Sequence, residues 1–292
     1  MRSLPYILVL VSAFTHSYWN YILKREKGGQ IFIALSKIAE GVIFAIPFVY
    51  IVARDGILIE RYWVLYVVGA LLVLVTYIIL VKAYEIGDLS IVYPVSRAGA
   101  LMFLPALAYV VLGETIDLVG CLAIVLIVAG LSAIQLGSFA LVDIQKALRK
   151  WADPATLLAM LAAFTTACYT LWDKHSIGLL SPFVYFYAYT AIIAICYAVL
   201  ILFRYPTAEI RAEFTTRKWP IIEVGVLNTV GYLLVLYSLR EGNPSYVIAV
   251  RQLSIAFGVV LGWRALGEPF PAPKRTGVAL LLAGCLLVSL AR

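Results

Sequence analysis

The chain has 292 residues, of which 63% are hydrophobic and 13% are charged, and it carries a formal net charge of +7. Soluble domains are about 45–50% apolar and about 25% charged, so this composition, with a mean hydropathy of +0.97, excludes a soluble protein. The positive charges fall between apolar segments, which is typical of a membrane topology signal and not of a nucleic-acid-binding surface.

Ten apolar segments bounded by glycine, proline or charge are long enough to cross a bilayer as helices. Strands of a barrel would alternate polar and apolar residues over about ten positions, so the pattern predicts an all-α membrane protein. The first segment lacks a cleavage site and is kept as a span, not as a signal peptide. The predicted spans are residues 4–24, 30–53, 63–83, 89–112, 117–137, 154–173, 182–203, 219–239, 244–264 and 274–291.

The chain repeats itself once across its middle. Residues 76–90 align with residues 231–245, and after a one-residue slip the register continues through Arg97 over Arg251. Each copy holds five spans, an odd number, so the second copy must lie upside down relative to the first. Two inverted repeats predict a binding site near the midplane and alternating access to it. The expected repeats are residues 1–140 and residues 141–292, which form one membrane bundle.

Four charged residues lie well away from the ends of their apolar segments, where insertion of each charge costs about 2.5–3.5 kcal/mol. Arg97 and Arg251 occupy matching positions and could bind an anionic group of a substrate, or each could hold the bundle together through a buried ion pair. Lys37 and Glu40 are one turn apart on the second span. They either pair with each other, or Glu40 meets Arg97 while Lys37 joins the substrate site.

Polar and aromatic residues of other spans are further candidates for substrate binding. The first span carries His16, Trp19 and Asn20 along one side, and His16 is either a site for a coupling proton or a packing residue. The aromatic side chains could line a cavity or anchor the protein in the lipid interface. The remaining candidates are Tyr77, Tyr169, Asn228 and Tyr232.

Enzyme motifs are missing from the sequence: it has no glycine-rich phosphate loop, no HExxH and no nucleophile elbow. Its four cysteines lie in apolar segments without paired spacing, so we expect neither a metal site nor a cofactor. Without a nucleotide-binding domain, transport would be facilitative, driven by exchange or coupled to an ion.

The pattern as a whole resembles a known family. Ten spans in two copies of five, Trp19 or Tyr169 followed by a distal lysine in each first helix, and a Gly-Glu pair after each fourth helix resemble EamA-type members of the drug/metabolite transporter superfamily. The resemblance covers the whole chain and implies a multi-pass protein of the cell membrane with both termini in the cytoplasm. The charge distribution predicts the opposite orientation, because 14 lysines and arginines follow odd-numbered spans and 6 lie on the other side.

These observations predict a secondary active or facilitative transporter of a small polar metabolite that is anionic or zwitterionic. Its expected partners are the solute, the lipid bilayer and either a proton or an exchanged solute. A second hypothesis is an exporter of amino acids, amines or aromatic compounds in which the arginines are structural. A third is a membrane enzyme or a lipid-handling protein, whose polar cluster should lie at the membrane interface.

Overall fold

The computed structural model describes residues 4–56, 59–87, 89–136 and 153–291, together with Ser138 and Ala140. Every regular element in these residues is helical. The expected boundary between the halves, at residues 140 and 141, adjoins a stretch that lies outside the described residues. The charged residues Arg2, Lys146, Arg149, Lys150 and Arg292, which contribute to the topology signal, lie outside them as well.

The described residues form ten helical rods that match the ten predicted spans. Eight of them are long and apolar enough to cross a membrane; the other two are the first helix and the 17-residue last helix. A short 3-10 turn, Ile59–Tyr62, precedes the third rod. The helices are α1 Leu4–Arg25, α2 Gln30–Ile43, α3 Ala45–Asp55, α4 Trp63–Ile86, α5 Leu89–Leu112, α6 Leu118–Gln135, α7 Pro154–Leu179, α8 Pro182–Arg204, α9 Thr207–Glu241, α10 Pro244–Arg251, α11 Leu253–Leu266 and α12 Ala272–Val288. The predicted fold class, an all-α membrane bundle, is confirmed.

Two rods are interrupted, contrary to the expectation of continuous spans. The second rod breaks at Phe44 between α2 and α3, because Pro47 has no backbone N–H to donate to the carbonyl of Ile43. The ninth rod breaks at Gln252, between α10 and α11. There the backbone N–H of Gln252 bonds to the carbonyl of Ala249, three residues back, at 3.1 Å. This tighter turn directly follows Arg251.

Two helix boundaries also differ from the prediction. The eighth rod was expected from residue 219, but α9 begins at Thr207 and is kinked at Arg217, ahead of Pro220. Proline at position 220 cannot donate to the carbonyl four residues earlier, so two helices meet at an angle there. The sixth rod was expected to end at residue 173, whereas α7 continues to Leu179. Asp173 and Lys174 therefore lie within the helix and not at its end.

The contacts between helices follow the repeat. A contact made by a helix of one half has an equivalent made by the corresponding helix of the other half. Helix α1 packs along α9 as α7 packs along α4, and α1 packs against α10 and α11 as α7 packs against α5. The fifth and tenth rods, α6 and α12, pack against each other. Most of the packing therefore joins one half to the other, so neither half buries its own helix faces alone.

Glycines bring α6 and α12 into backbone contact. A Cβ atom on Gly130 would lie 2.8 Å from the carbonyl oxygen of Gly277, and a Cβ atom on Gly277 would lie 2.6 Å from the carbonyl oxygen of Gly130. Such distances exclude any side chain unless the helices separate. Small residues at a crossing permit this close approach in a bilayer, where lipid gives no hydrophobic advantage to helix association.

We predict that Gly130→Ala and Gly277→Ala lower the melting temperature of the detergent-purified protein, because the added methyl group forces two backbones apart. The expected cost is about 1–3 kcal/mol for each substitution. The matched control is Gly178→Ala on α7, where nothing lies within 4 Å of the added atom. It should leave the melting temperature unchanged or raise it. Equal melting temperatures for all three variants would contradict the close packing of α6 on α12.

Candidate functional site

A cavity lies where helices of both halves converge. It has an empty volume of about 630 Å³, a figure that includes its opening to the outside. Helices α1, α4 and α5 from the first half and α7, α10 and α11 from the second contribute to its wall. Its polar lining residues are His16, Tyr93, Ser96, Arg97, Thr166, Tyr169, Thr170, Arg251, Gln252 and Ser254.

The two arginines of the repeat both line this cavity. The guanidinium carbon of Arg97 lies 5.6 Å from the ring centre of Tyr93, and that of Arg251 lies 5.2 Å from the ring centre of Tyr232. Neither guanidinium has a carboxylate partner within ion-pair distance among the described residues. Each arginine therefore packs on an aromatic face and keeps donors available for another group.

His16 lies on the cavity wall with the arginines, and it accepts hydrogen bonds from Trp19 and Asn20 of the same helix. The Trp19 Nε1–H donates to His16 Nδ1 at 3.2 Å, and the two rings meet edge to face. Asn20 donates to the backbone carbonyl of His16 at 2.6 Å. Because Nδ1 accepts a hydrogen bond, a neutral imidazole would carry its proton on Nε2. Trp19 and Asn20 thus hold His16 and lie outside the cavity lining.

Hydroxyl groups of α7 and α5 face the same cavity. Thr166, Tyr169 and Thr170 share one side of α7 because they are three or four residues apart. Thr166 donates to the carbonyl of Ala162 at 2.8 Å, and Thr170 donates to the carbonyl of Thr166 at 2.8 Å. Ser96 likewise donates to the carbonyl of Tyr93. Since these protons are used within the helices, the hydroxyl oxygens remain available as acceptors.

A buried carboxyl group connects Arg251 to the protein interior. Asp173, only 1% exposed, accepts hydrogen bonds from the Tyr185 hydroxyl at 2.7 Å and from the Tyr232 hydroxyl at 2.6 Å. The ring of Tyr232 lies under the guanidinium of Arg251 and stacks on Phe186. Sequence analysis missed Asp173 because the sixth span was ended there. Ser181-Pro182, the start of the next helix, was the signal that α7 continues past residue 173.

Besides Tyr232, four other predicted site residues lie outside the cavity lining. Lys37 donates to Glu40 at 3.1 Å, and Asn228 donates to the same carboxylate oxygen at 3.0 Å. Of the two alternatives for Glu40, the structure therefore forms the intrahelical pair with Lys37. The second oxygen of Glu40 is buried and has no hydrogen-bond partner. Tyr77 is 51% exposed on the outside of this lining.

Comparison with known proteins agrees with the architecture. Residues 153–290 match the EamA-like transporter family. The chain is also similar to a crystal structure described only as that of a protein. The two superpose over 99% of this chain and 98% of the other chain, with a TM-score of 0.74 and 12% sequence identity, which shows a shared fold. The chain has no significant match among curated proteins.

We predict that Tyr185→Phe and Tyr232→Phe destabilise the protein to a similar degree, because each removes one donor from the buried Asp173 carboxylate. Leaving a buried polar group short of a partner costs about 1–3 kcal/mol. The measurement is the melting temperature in detergent. Tyr187→Phe is the matched control, because that hydroxyl donates to the backbone carbonyl of Gly41 and to no carboxylate. It should cost less; a larger loss in Tyr187→Phe than in the other two would contradict the role of Asp173.

Proposed function

Because the chain belongs to the EamA-like transporter family over residues 153–290, we propose that it moves a small anionic or zwitterionic metabolite across the cell membrane by alternating access. It is a multi-pass integral membrane protein of a transporter family. Transport is driven by the solute gradient, by exchange or by a coupled ion. The fold, in which both halves contribute to one cavity, supports alternation around a shared site.

The observation that carries the anionic preference is the pair of arginines without carboxylate partners. Burying an uncompensated guanidinium in a bundle is costly, and it becomes tolerable when an anion supplies the missing charge. Arg97 and Arg251 come from opposite halves and line the same cavity. A carboxylate or similar group bound between them would accept charge-assisted hydrogen bonds from the planar forks of both side chains.

The alternative functions find less support in the geometry. An exporter of amines would have to place a cation beside two guanidinium groups. Two of the rings proposed for aromatic recognition pack on other side chains, since Trp19 packs on His16 and Tyr232 packs under Arg251, whereas Tyr169 lines the cavity. An enzyme or a lipid-handling protein should have its polar cluster at the membrane interface, whereas these polar groups converge inside the bundle.

The two Gly-Glu pairs form matched helix ends that support the alternating mechanism. Gly113 and Gly267 have φ angles of 67° and 69°, the left-handed region that favours glycine. The backbone N–H of Glu114 bonds to the carbonyl of Ala108 at 3.2 Å, and that of Glu268 bonds to the carbonyl of Gly262 at 3.1 Å. Both helices thus end in the same six-residue motif, which presents a glutamate directly after the turn.

At the Glu268 end of the bundle an ion pair is formed. Lys24, near the end of α1, contacts Glu268 directly after α11. The first and ninth rods run in the same direction across the membrane, so both ends lie on one face. This contact ties the first half to the second at that face.

At the opposite face the equivalent pair is open. The repeat places Lys174 where Lys24 lies in the first half, but its amino group donates to carbonyls at the end of α9, including that of Gly242 at 3.1 Å. Glu114 is 9% exposed, and neither carboxylate oxygen has a hydrogen-bond partner of normal geometry. Burial raises the pKa of Glu114, and neighbouring Ser245 and Lys174 offset part of this rise. A buried carboxyl without an ion-pair partner among the described residues favours an alternative state in which Lys174 reaches Glu114.

Alternation then exchanges the two lysine–glutamate pairs. In one state Lys24 holds Glu268 and Lys174 caps α9; in the other, Lys174 holds Glu114 and Lys24 caps the end of α4. The two states are related by the repeat, so their free energies are similar. Because the Lys24–Glu268 pair is largely at the surface, its own contribution is about 0–1 kcal/mol, enough to bias the equilibrium without locking it.

We predict that Arg97→Lys and Arg251→Lys weaken solute binding about ten- to a hundred-fold, because an ammonium keeps the charge but loses the planar fork. The wild-type protein is first screened by thermal shift against carboxylates, amino acids and amines. The compound with the largest shift is then titrated against each variant, and its uptake into proteoliposomes is measured. The matched control is Arg264→Lys, because Arg264 also stacks on an aromatic ring, that of Trp263, but lies outside the cavity.

The outcome separates binding from structural roles. Unchanged affinity with a lower melting temperature in both lysine variants would mean that the arginines are structural. A wild-type preference for amines would favour the exporter hypothesis instead.

We predict that Glu268→Gln opens the face that holds Lys24 and closes the opposite face. In a variant without native cysteines, spin labels are attached in pairs at exposed positions, and the distance between the two labels of a pair is measured. The first pair is at Arg25 and Arg264 on one face, and the second is at Leu112 and His175 on the other. The first distance should lengthen while the second shortens. Glu114→Gln is the matched control and should favour the state described here. Distances that change together, or that both stay fixed, would rule out the exchange of pairs.

A further inference from the structure

The charged groups around the cavity leave one positive charge without compensation. Lys37 and Glu40 neutralise each other. Asp173 accepts hydrogen bonds from two tyrosine hydroxyl groups, and one of these tyrosines, Tyr232, connects it to Arg251. Arg97 has no such acid behind its tyrosine among the described residues. One negative charge on the solute therefore restores neutrality, whereas two would exceed it.

Two sets of hydrogen-bonding groups on the wall carry the argument about the solute. Arg97 and Arg251 offer charged donors. The hydroxyls of Ser96, Thr166 and Thr170 give their protons to carbonyls of their own helices, so towards the cavity they offer acceptors. A complementary solute needs an anionic group at one end and neutral donors, such as hydroxyl groups, along the rest of it.

An ammonium group would satisfy the acceptors but not the charge balance. It would bring a further cation next to two guanidinium groups, and no aspartate or glutamate belongs to the described lining. A simple fatty acid would satisfy the arginines and leave the hydroxyl acceptors without partners. Buried polar groups left unpaired are what allows a site to reject an analogue that lacks a hydroxyl.

From this complementarity we propose that the solute is a hydroxylated monocarboxylate, a compound of the sugar-acid class. The assignment rests on the proposed transport function and deepens it. The carboxylate lies between Arg97 and Arg251, and its hydroxyl groups donate to the serine and threonine oxygens of α5 and α7. Asp173 acts as a positioning residue, because it holds Tyr232 under Arg251 and does not reach the cavity itself.

The test uses five probes that differ in one property each, applied to the purified full-length protein by thermal shift and titration. Gluconate is the expected ligand; sorbitol lacks the carboxylate, hexanoate lacks the hydroxyls, glucarate has a second carboxylate and 2-amino-2-deoxygluconate adds an ammonium group. Gluconate should bind at least about tenfold more tightly than each of the others. It should also exchange across proteoliposomes that contain the protein.

Variants connect each preference to its residues. Thr166→Val with Thr170→Val should reduce the affinity for gluconate towards that for hexanoate, while hexanoate binding stays constant. Arg97→Gln should remove the distinction between gluconate and sorbitol. Tyr232→Phe should lower gluconate affinity less than Arg251→Gln, because the ring under Arg251 remains. Melting temperatures without ligand check that each variant is folded.

Other outcomes overturn the assignment in recognisable ways. Tightest binding of glucarate would show that each arginine takes its own anionic group, and tightest binding of the amino derivative would show a zwitterion site. Either result leaves the proposed transport of an anionic or zwitterionic solute intact. If neither gluconate nor any other anion or zwitterion binds, while an amine is transported, the proposed function itself fails.

Discussion

The central constraint on this protein is electrostatic: two guanidinium groups occupy a cavity inside a membrane bundle without a carboxylate beside them. An isolated charge in a low-dielectric interior costs several kcal/mol, so the structure must lower that cost wherever it can. It does so with an aromatic face under each arginine and hydroxyl groups around them. Under the proposed function, the ligand completes the charge of this site, so that binding and charge compensation are the same event.

The repeat supplies the geometry of this site but does not make its halves equivalent. Arg97 and Arg251 occupy matching positions, yet Tyr232 is held by Asp173 while its counterpart Tyr77 is exposed and remote from any such acid. The ninth rod also breaks directly after Arg251, whereas the fourth rod continues past Arg97. One arginine is therefore anchored through a buried network and the other keeps more freedom. A pseudo-symmetric cavity can in this way bind an asymmetric solute in one orientation.

Sequence patterns predicted the ten rods and the arginine pair, because both depend on features a bilayer imposes locally. Span length follows from membrane thickness, and a charge in an apolar segment is conspicuous wherever it stands. The helix breaks at Phe44 and Gln252 and the extension of α7 to Leu179 were missed, since they depend on which neighbour satisfies a polar group. Asp173 was not predicted as a site residue because its role depends on the two tyrosines that hydrogen-bond to it. Likewise, sequence spacing did not identify the partners of Glu40, one of which is Asn228 on α9.

The two faces of the bundle also differ in how their charged residues are paired. Lys24 and Lys174 are equivalent by sequence, but only Lys24 contacts its glutamate in this structure. The second lysine bonds to carbonyls at a helix end, which carry partial negative charge and tolerate it well. Glu114 lies beside Ser245 and has no ion-pair partner among the described residues. Under the proposed mechanism, the cost of burying this carboxyl keeps the opposite state within reach, so the features that disfavour a single rigid structure are those an alternating transporter needs.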